Sequence, residues 1–117
     1  MLFYRLNAND PVVRQFKVLV SVYSLNPLVR GLKEHCRRIV LFGSSAQGTD
    51  VKESDIDLFT LTSEKDSVRK GVNKFNRESD RSVAPIVVDA NEFVKLKRKD
   101  KALYENIERG ITLWQAE

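Results

Sequence analysis

At 117 residues, with 42% hydrophobic and 31% charged side chains, the chain has the balance of a single folded domain spanning 1–117, away from disordered chains and without room for a second core. No apolar run approaches the roughly 20 residues of a membrane helix, the first residues lack the order of a signal peptide, and the single Cys36 cannot form an internal disulfide. A cytoplasmic protein with no membrane partner is expected, and its formal charge of +4 is compatible with polyanionic ligands without dictating nucleic acid.

Leu2-Phe3-Tyr4-Arg5-Leu6 is short and aromatic and runs into Asn7-Ala8-Asn9, as a strand or arm ending in a turn does. Asp10-Pro11 then supplies a helix cap and a proline at the first helical position. Val12, Phe16, Leu19, Val20 and Tyr23 recur at helical spacing, giving one apolar stripe, the face a surface helix turns toward a core. This helix should reach about Leu25, where Asn26-Pro27 interrupts it, and Leu28, Val29, Leu32 and Cys36 carry a shorter stripe. Residues 1–36 are therefore an arm and a helical segment ahead of the sheet. Cys36 reads as a small buried apolar residue, and the lone His35 as structural or solvated.

The run from Ile39 to Phe59 is where the chain becomes specific. Ile39 to Phe42 is a continuous apolar run of the kind a buried strand shows, and it stops at Gly43, where a sharp turn follows. Ser44-Ser45-Ala46-Gln47 has the composition of a helix N-terminus, whose unpaired N–H groups and serine hydroxyl favour an anion such as phosphate. Asp55 and Asp57, one residue apart at the start of the apolar run Ile56 to Leu61, fall on one face of a strand. Two like charges there repel, and a divalent cation removes the conflict; oxygen-only ligands beside phosphates suit magnesium.

Beyond this stretch, Ser63-Glu64-Lys65-Asp66 reads as a serine cap with an acidic first turn, ahead of a helix carrying Val68, Val72 and Phe75. Val83 to Val88 is a third strand, which Pro85 assigns to an edge or a bulge. Lys70, Lys74, Arg77 and Arg81 read as solvated. Asp89-Ala90-Asn91-Glu92 has capping-box spacing, Asp100 caps a last helix with Leu103 and Ile107, and Ile111 to Trp114 follows Gly110 as a final strand. Lys95, Lys97, Arg98, Lys99 and Lys101 fit a solvated helix face, and no aromatic residues are interleaved with them, so a nucleic-acid partner is not expected.

Gly43-Ser44, ten residues, then Asp55-Ile56-Asp57 resembles the paired motifs of the polymerase-beta-like nucleotidyltransferase superfamily, and the wording GSSAQG followed by SDIDLF resembles its minimal nucleotidyltransferase, antitoxin-like branch. The resemblance implies an α/β (α+β) fold with a small mixed sheet flanked by helices, like a polymerase-beta palm. It implies transfer of a nucleoside monophosphate, AMP from ATP by family preference, to a hydroxyl acceptor. Gly43, Ser44 and Ser45 would hold the triphosphate, and Asp55 and Asp57 would bind two Mg2+ ions and be the catalytic pair. The third acid usual in the superfamily has no counterpart between Val83 and Val88; Asp89, which closes that strand, is the candidate for it, against a rival role as a helix cap. Two readings follow: an Mg-dependent transferase acting on a small helical toxin-like partner, or a nucleotide-binding interaction module without turnover. A homo-oligomer is compatible with either.

Overall fold

The apolar run Ile39 to Phe42 and the run Ile56 to Leu61, which is broken only by Asp57 and Thr60, form the two central strands of the sheet. The structure is a computed structural model, in which residues 10–51 and 53–117 are described; the arm expected at Leu2 to Leu6 lies outside them. In chain order the elements are α1 (Pro11–Ser24), α2 (Asn26–Leu32), β1 (Arg38–Phe42), α3 (Ser44–Gln47), β2 (Ile56–Leu61), α4 (Lys65–Glu78), β3 (Val83–Val88), α5 (Ala90–Lys99), α6 (Lys101–Glu108) and β4 (Ile111–Gln115). The sheet has four strands in the order β3-β2-β1-β4. It is mixed: β1 runs antiparallel to β2 and β4, while β2 and β3 are parallel and joined through α4.

Strand alternation divides the core in two. Ile39, Leu41, Ile56, Leu58 and Val83 point to one face, against Leu25, Leu28 and Leu32 of the first helices and Val68 and Val72 of α4. Val40, Phe42 and Phe59 point to the other, against Ile107, with Phe93, Leu96 and Leu103 of α5 and α6 packed around them. Pro85 sits on an edge strand, as its missing N–H requires. Asn76 of α4 holds the first residue of that strand from outside, accepting the Val83 N–H at 2.8 Å and donating to the Val83 carbonyl at 3.0 Å.

Helix α1 begins as the sequence predicts, with Asp10 Oδ1 accepting the Val12 N–H at 2.8 Å. Its rotation is the reverse of the expected one. The apolar stripe Val12, Phe16, Leu19, Val20 and Tyr23 is between 48% and 78% exposed, and the buried residues are Val13, Lys17 and Ser21. Backbone approach and charge set the rotation. Gly48 packs so closely on α1 that a Cβ there would collide with the Arg14 carbonyl and lie 2.8 Å from the Arg14 Cα, and the Lys17 ammonium is drawn inward to Asp50. A second correction concerns α4: the hydroxyl that caps its approach belongs to Thr62, which accepts the Glu64 N–H at 2.8 Å, rather than to Ser63.

Candidate functional site

At the end of β1 the chain turns at Gly43, whose φ of 75° is open to glycine and strained for other residues. One helical turn, α3, follows and closes at Gly48 in the left-handed conformation. β2 returns antiparallel beside β1 with Asp57 in register with Phe42, so the carboxylate of Asp57 lies against the turn. A Cβ at Gly43 would collide with Asp57 Oδ2 and sit 3.3 Å from its Cγ. Turn and acid are therefore in direct contact. The first N–H groups of a helix have no acceptor within it, which leaves those of Ser44 and Ser45 without an intrahelical partner.

Asp55 is exposed and Asp57 half-buried. Among the described residues neither side chain has a hydrogen-bond or ion-pair partner. Partial burial, and after it the charge of Asp55, push the Asp57 carboxyl above the usual aspartate range. Both causes disfavour the ionised form, and both would be relieved by a cation bound between the acids. The donor set is all oxygen, which suits magnesium, and the absence of a side chain at Gly43 lets the Asp57 carboxylate lie directly against the turn. These residues fit the ion the sequence implies, although no group of three acidic, His or Cys side chains is assembled among the described residues.

Ser44 is half-buried at the turn, whereas Ser45 is 1% exposed and turned inward, its hydroxyl 3.4 Å from Asp50 Oδ2. Of Ser45, the backbone N–H is what a ligand in front of the turn could meet. Asp89 is not part of the site. The residue of β3 in register with Asp57 is Ala84, so Asp89 stands five positions further, roughly 16 Å along the strand. There it caps α5, accepting the Glu92 N–H at 2.8 Å while Glu92 accepts the Asp89 N–H at 3.1 Å. The capping box won because the strand ends one residue before it.

Three residues beneath the site were not singled out by the sequence, or were misplaced by it. Asp50, 3% exposed, lies between Lys17 of α1, whose Nζ is 3.7 Å from Oδ1, and Arg81, whose Nη1 donates to Oδ2 at 2.6 Å. The same guanidinium donates through Nη2 to the Ser54 carbonyl at 2.7 Å. Arg81 is thus a buried partner and not the solvated side chain expected. Residues 31 positions apart carry no local pattern, so no periodicity could have paired them.

The family model described as polymerase beta, nucleotidyltransferase matches residues 28–117. Curated proteins give no match. Among solved structures the chain is similar to a candidate nucleotidyltransferase from Sulfolobus solfataricus, at a TM-score of 0.58 and 15% identity, covering 93% of each chain. It is similar to a doubly mutated form of the toxin-antitoxin MntA-HpeT, at 0.56 and 21%, covering 82% of this chain and 74% of that one. A toxin-antitoxin structure with AMP-PNP is similar at 0.55 and 24%, with the same coverage. At these identities the likeness is one of fold.

Proposed function

The chain belongs to the polymerase beta nucleotidyltransferase family, and from that premise we propose that it transfers a nucleoside monophosphate, AMP from ATP, to a hydroxyl on a small helical partner protein. The observation that carries this reading is the contact between the glycine turn and the second acid: with no side chain at Gly43, the Asp57 carboxylate lies against the turn. The likeness in fold to toxin-antitoxin structures, one of them holding AMP-PNP, supports the choice of partner and nucleotide.

The N–H groups of Ser44 and Ser45 and the Ser44 hydroxyl would take the terminal phosphates of the triphosphate, oriented by the turn before any ligand arrives. Asp55 and Asp57 would hold magnesium, which when bound supplies charge neutralisation at the phosphates and at the attacking oxygen. The acceptor oxygen forms a bond to the α-phosphorus, the bond to pyrophosphate breaks, and the hydroxyl proton passes to solvent or to a group of the partner. Residues of this chain contribute position and field, holding the reacting atoms in line.

One observation favours a second reading. Ala84 occupies the position beside Asp57 where an acid would complete the metal site, so a module that binds nucleotide and partner without turnover is the alternative. Incubation with α-labelled ATP, magnesium and the protein encoded beside this one separates the two. Label appearing on that protein, and lost in Asp57→Asn, supports transfer; nucleotide binding with no label on it in any condition supports the module.

A further inference from the structure

Asp50 is a carboxylate taken almost wholly out of water, at a desolvation cost that an apolar residue would avoid. What it touches explains why the cost is borne. One oxygen, Oδ2, meets both Ser45 Oγ at 3.4 Å and Arg81 Nη1 at 2.6 Å. Arg81 reaches on through Nη2 to the Ser54 carbonyl at 2.7 Å and lies 3.4 Å from the Ser54 hydroxyl. Ser45 belongs to the turn that faces the phosphates; Ser54 immediately precedes Asp55. A continuous line of contacts, Ser45 to Asp50 to Arg81 to Ser54, therefore joins the two halves of the site from beneath.

We propose that Asp50 and Arg81 are positioning residues that fix the distance between the Ser44 turn and the Asp55–Asp57 pair, so that phosphates and metal are received in one geometry. Their functional role rests on the nucleotidyl-transfer reading; the mechanical coupling does not. The planar guanidinium is suited to this because its fork serves two acceptors at once, which a lysine ammonium on a flexible stem does not reproduce. Arg81 also leads directly into β3, so the brace is anchored to the sheet as well as to the loop. Lys17 grips Asp50 from α1, through the carbonyl oxygen and Oδ1, and ties that helix to the same point.

Arg81→Lys keeps the charge and removes the fork, and Val72→Ala truncates a buried side chain of α4 away from the brace as a control for lost stability. Hydrogen exchange on the full chain without ligand reads the coupling. Arg81→Lys is expected to speed exchange in 44–49 and in 53–57 together, while α6 is unchanged. Exchange altered in only one of the two segments, or both altered equally by Val72→Ala, overturns the proposal. Calorimetric titration with Mn2+ and AMP-PNP, at a temperature where every variant is folded, then reads the function: Arg81→Lys is expected to bind about tenfold more weakly, with Val72→Ala as wild type. Equal affinity in Arg81→Lys and wild type overturns the positioning role. Absence of binding in wild type itself defeats the nucleotide reading, and the exchange result still decides the coupling.

Discussion

The two ends of the sheet handle acidic residues in opposite ways. At the end where β3 finishes, Asp89 and Glu92 cap each other's backbone and share Lys65, whose Nζ is 3.8 Å from Asp89 Oδ2, and Glu64 lies 3.2 Å from His35 Nδ1. Hydrogen bonds, with the Lys65 side chain first among them, hold the Glu92 carboxyl below the usual glutamate range. At the end where β2 begins, Asp55 and Asp57 lie within electrostatic reach of each other with no such partner among the described residues, and the Asp57 carboxyl is pushed the other way. Acids satisfied by their own chain serve the fold. Acids left without such partners are available to a ligand.

The largest effect that would break this contrast is at Asp57. Asp57→Asn is expected to lower label transfer at least about 100-fold. Because the folded carboxyl titrates above its unfolded value, ionising it costs stability. That cost appears as pH rises through the ordinary aspartate range toward the raised value and is full at neutral pH. Metal-free Asp57→Asn should therefore melt above wild type at pH 7, with the difference closing below the ordinary aspartate range. A lower melting temperature at pH 7 would refute the assignment. Gly43→Ala forces a Cβ toward the Asp57 carboxylate at a φ of 75° and should cost about 1–3 kcal/mol in urea unfolding, with AMP-PNP binding lost.

At the opposite end the effects are smaller and confined to stability. Asp89→Ala should cost about 1 kcal/mol through the lost cap and leave Mn2+ affinity as it was; a drop in affinity would return Asp89 to the metal site. Cys36, close to that end, should be the least responsive group. Burial, and then the charge of Glu64, push its thiol up to about 11, so alkylation at pH 8 should proceed only as fast as the chain unfolds.

Much of the site was legible because its parts are local. A glycine ending an apolar run, serines after it, and two acids at strand spacing all declare themselves within about one turn and one strand, and the central strands were plain from their largely apolar runs. Pro85 narrowed β3 to an edge or a bulge, and the sheet order shows the edge. What failed was set by partners remote in sequence. The stripe on α1 was a sound periodic signal, but Lys17 and the close contact at Gly48 turned the helix the other way. Asp50 and Arg81 carry no pattern that marks them as a pair. Asp89 was ambiguous until the register showed Ala84, and not the strand's last neighbour, beside Asp57.

The clasp of Asn76 on Val83 has a consequence for how the molecule meets its own kind. The Ile56 N–H donates to the Ser82 carbonyl and the Thr62 N–H to the Val88 carbonyl, so alternation turns 83, 85 and 87 away from β2. Position 83 is occupied by the asparagine amide, position 85 is a proline with no hydrogen to give, and Val87 is left to present an outward N–H. A foreign strand finds too little there to zip onto. Among the described strands the opposite border of the sheet is β4, Ile111–Gln115, which carries no proline.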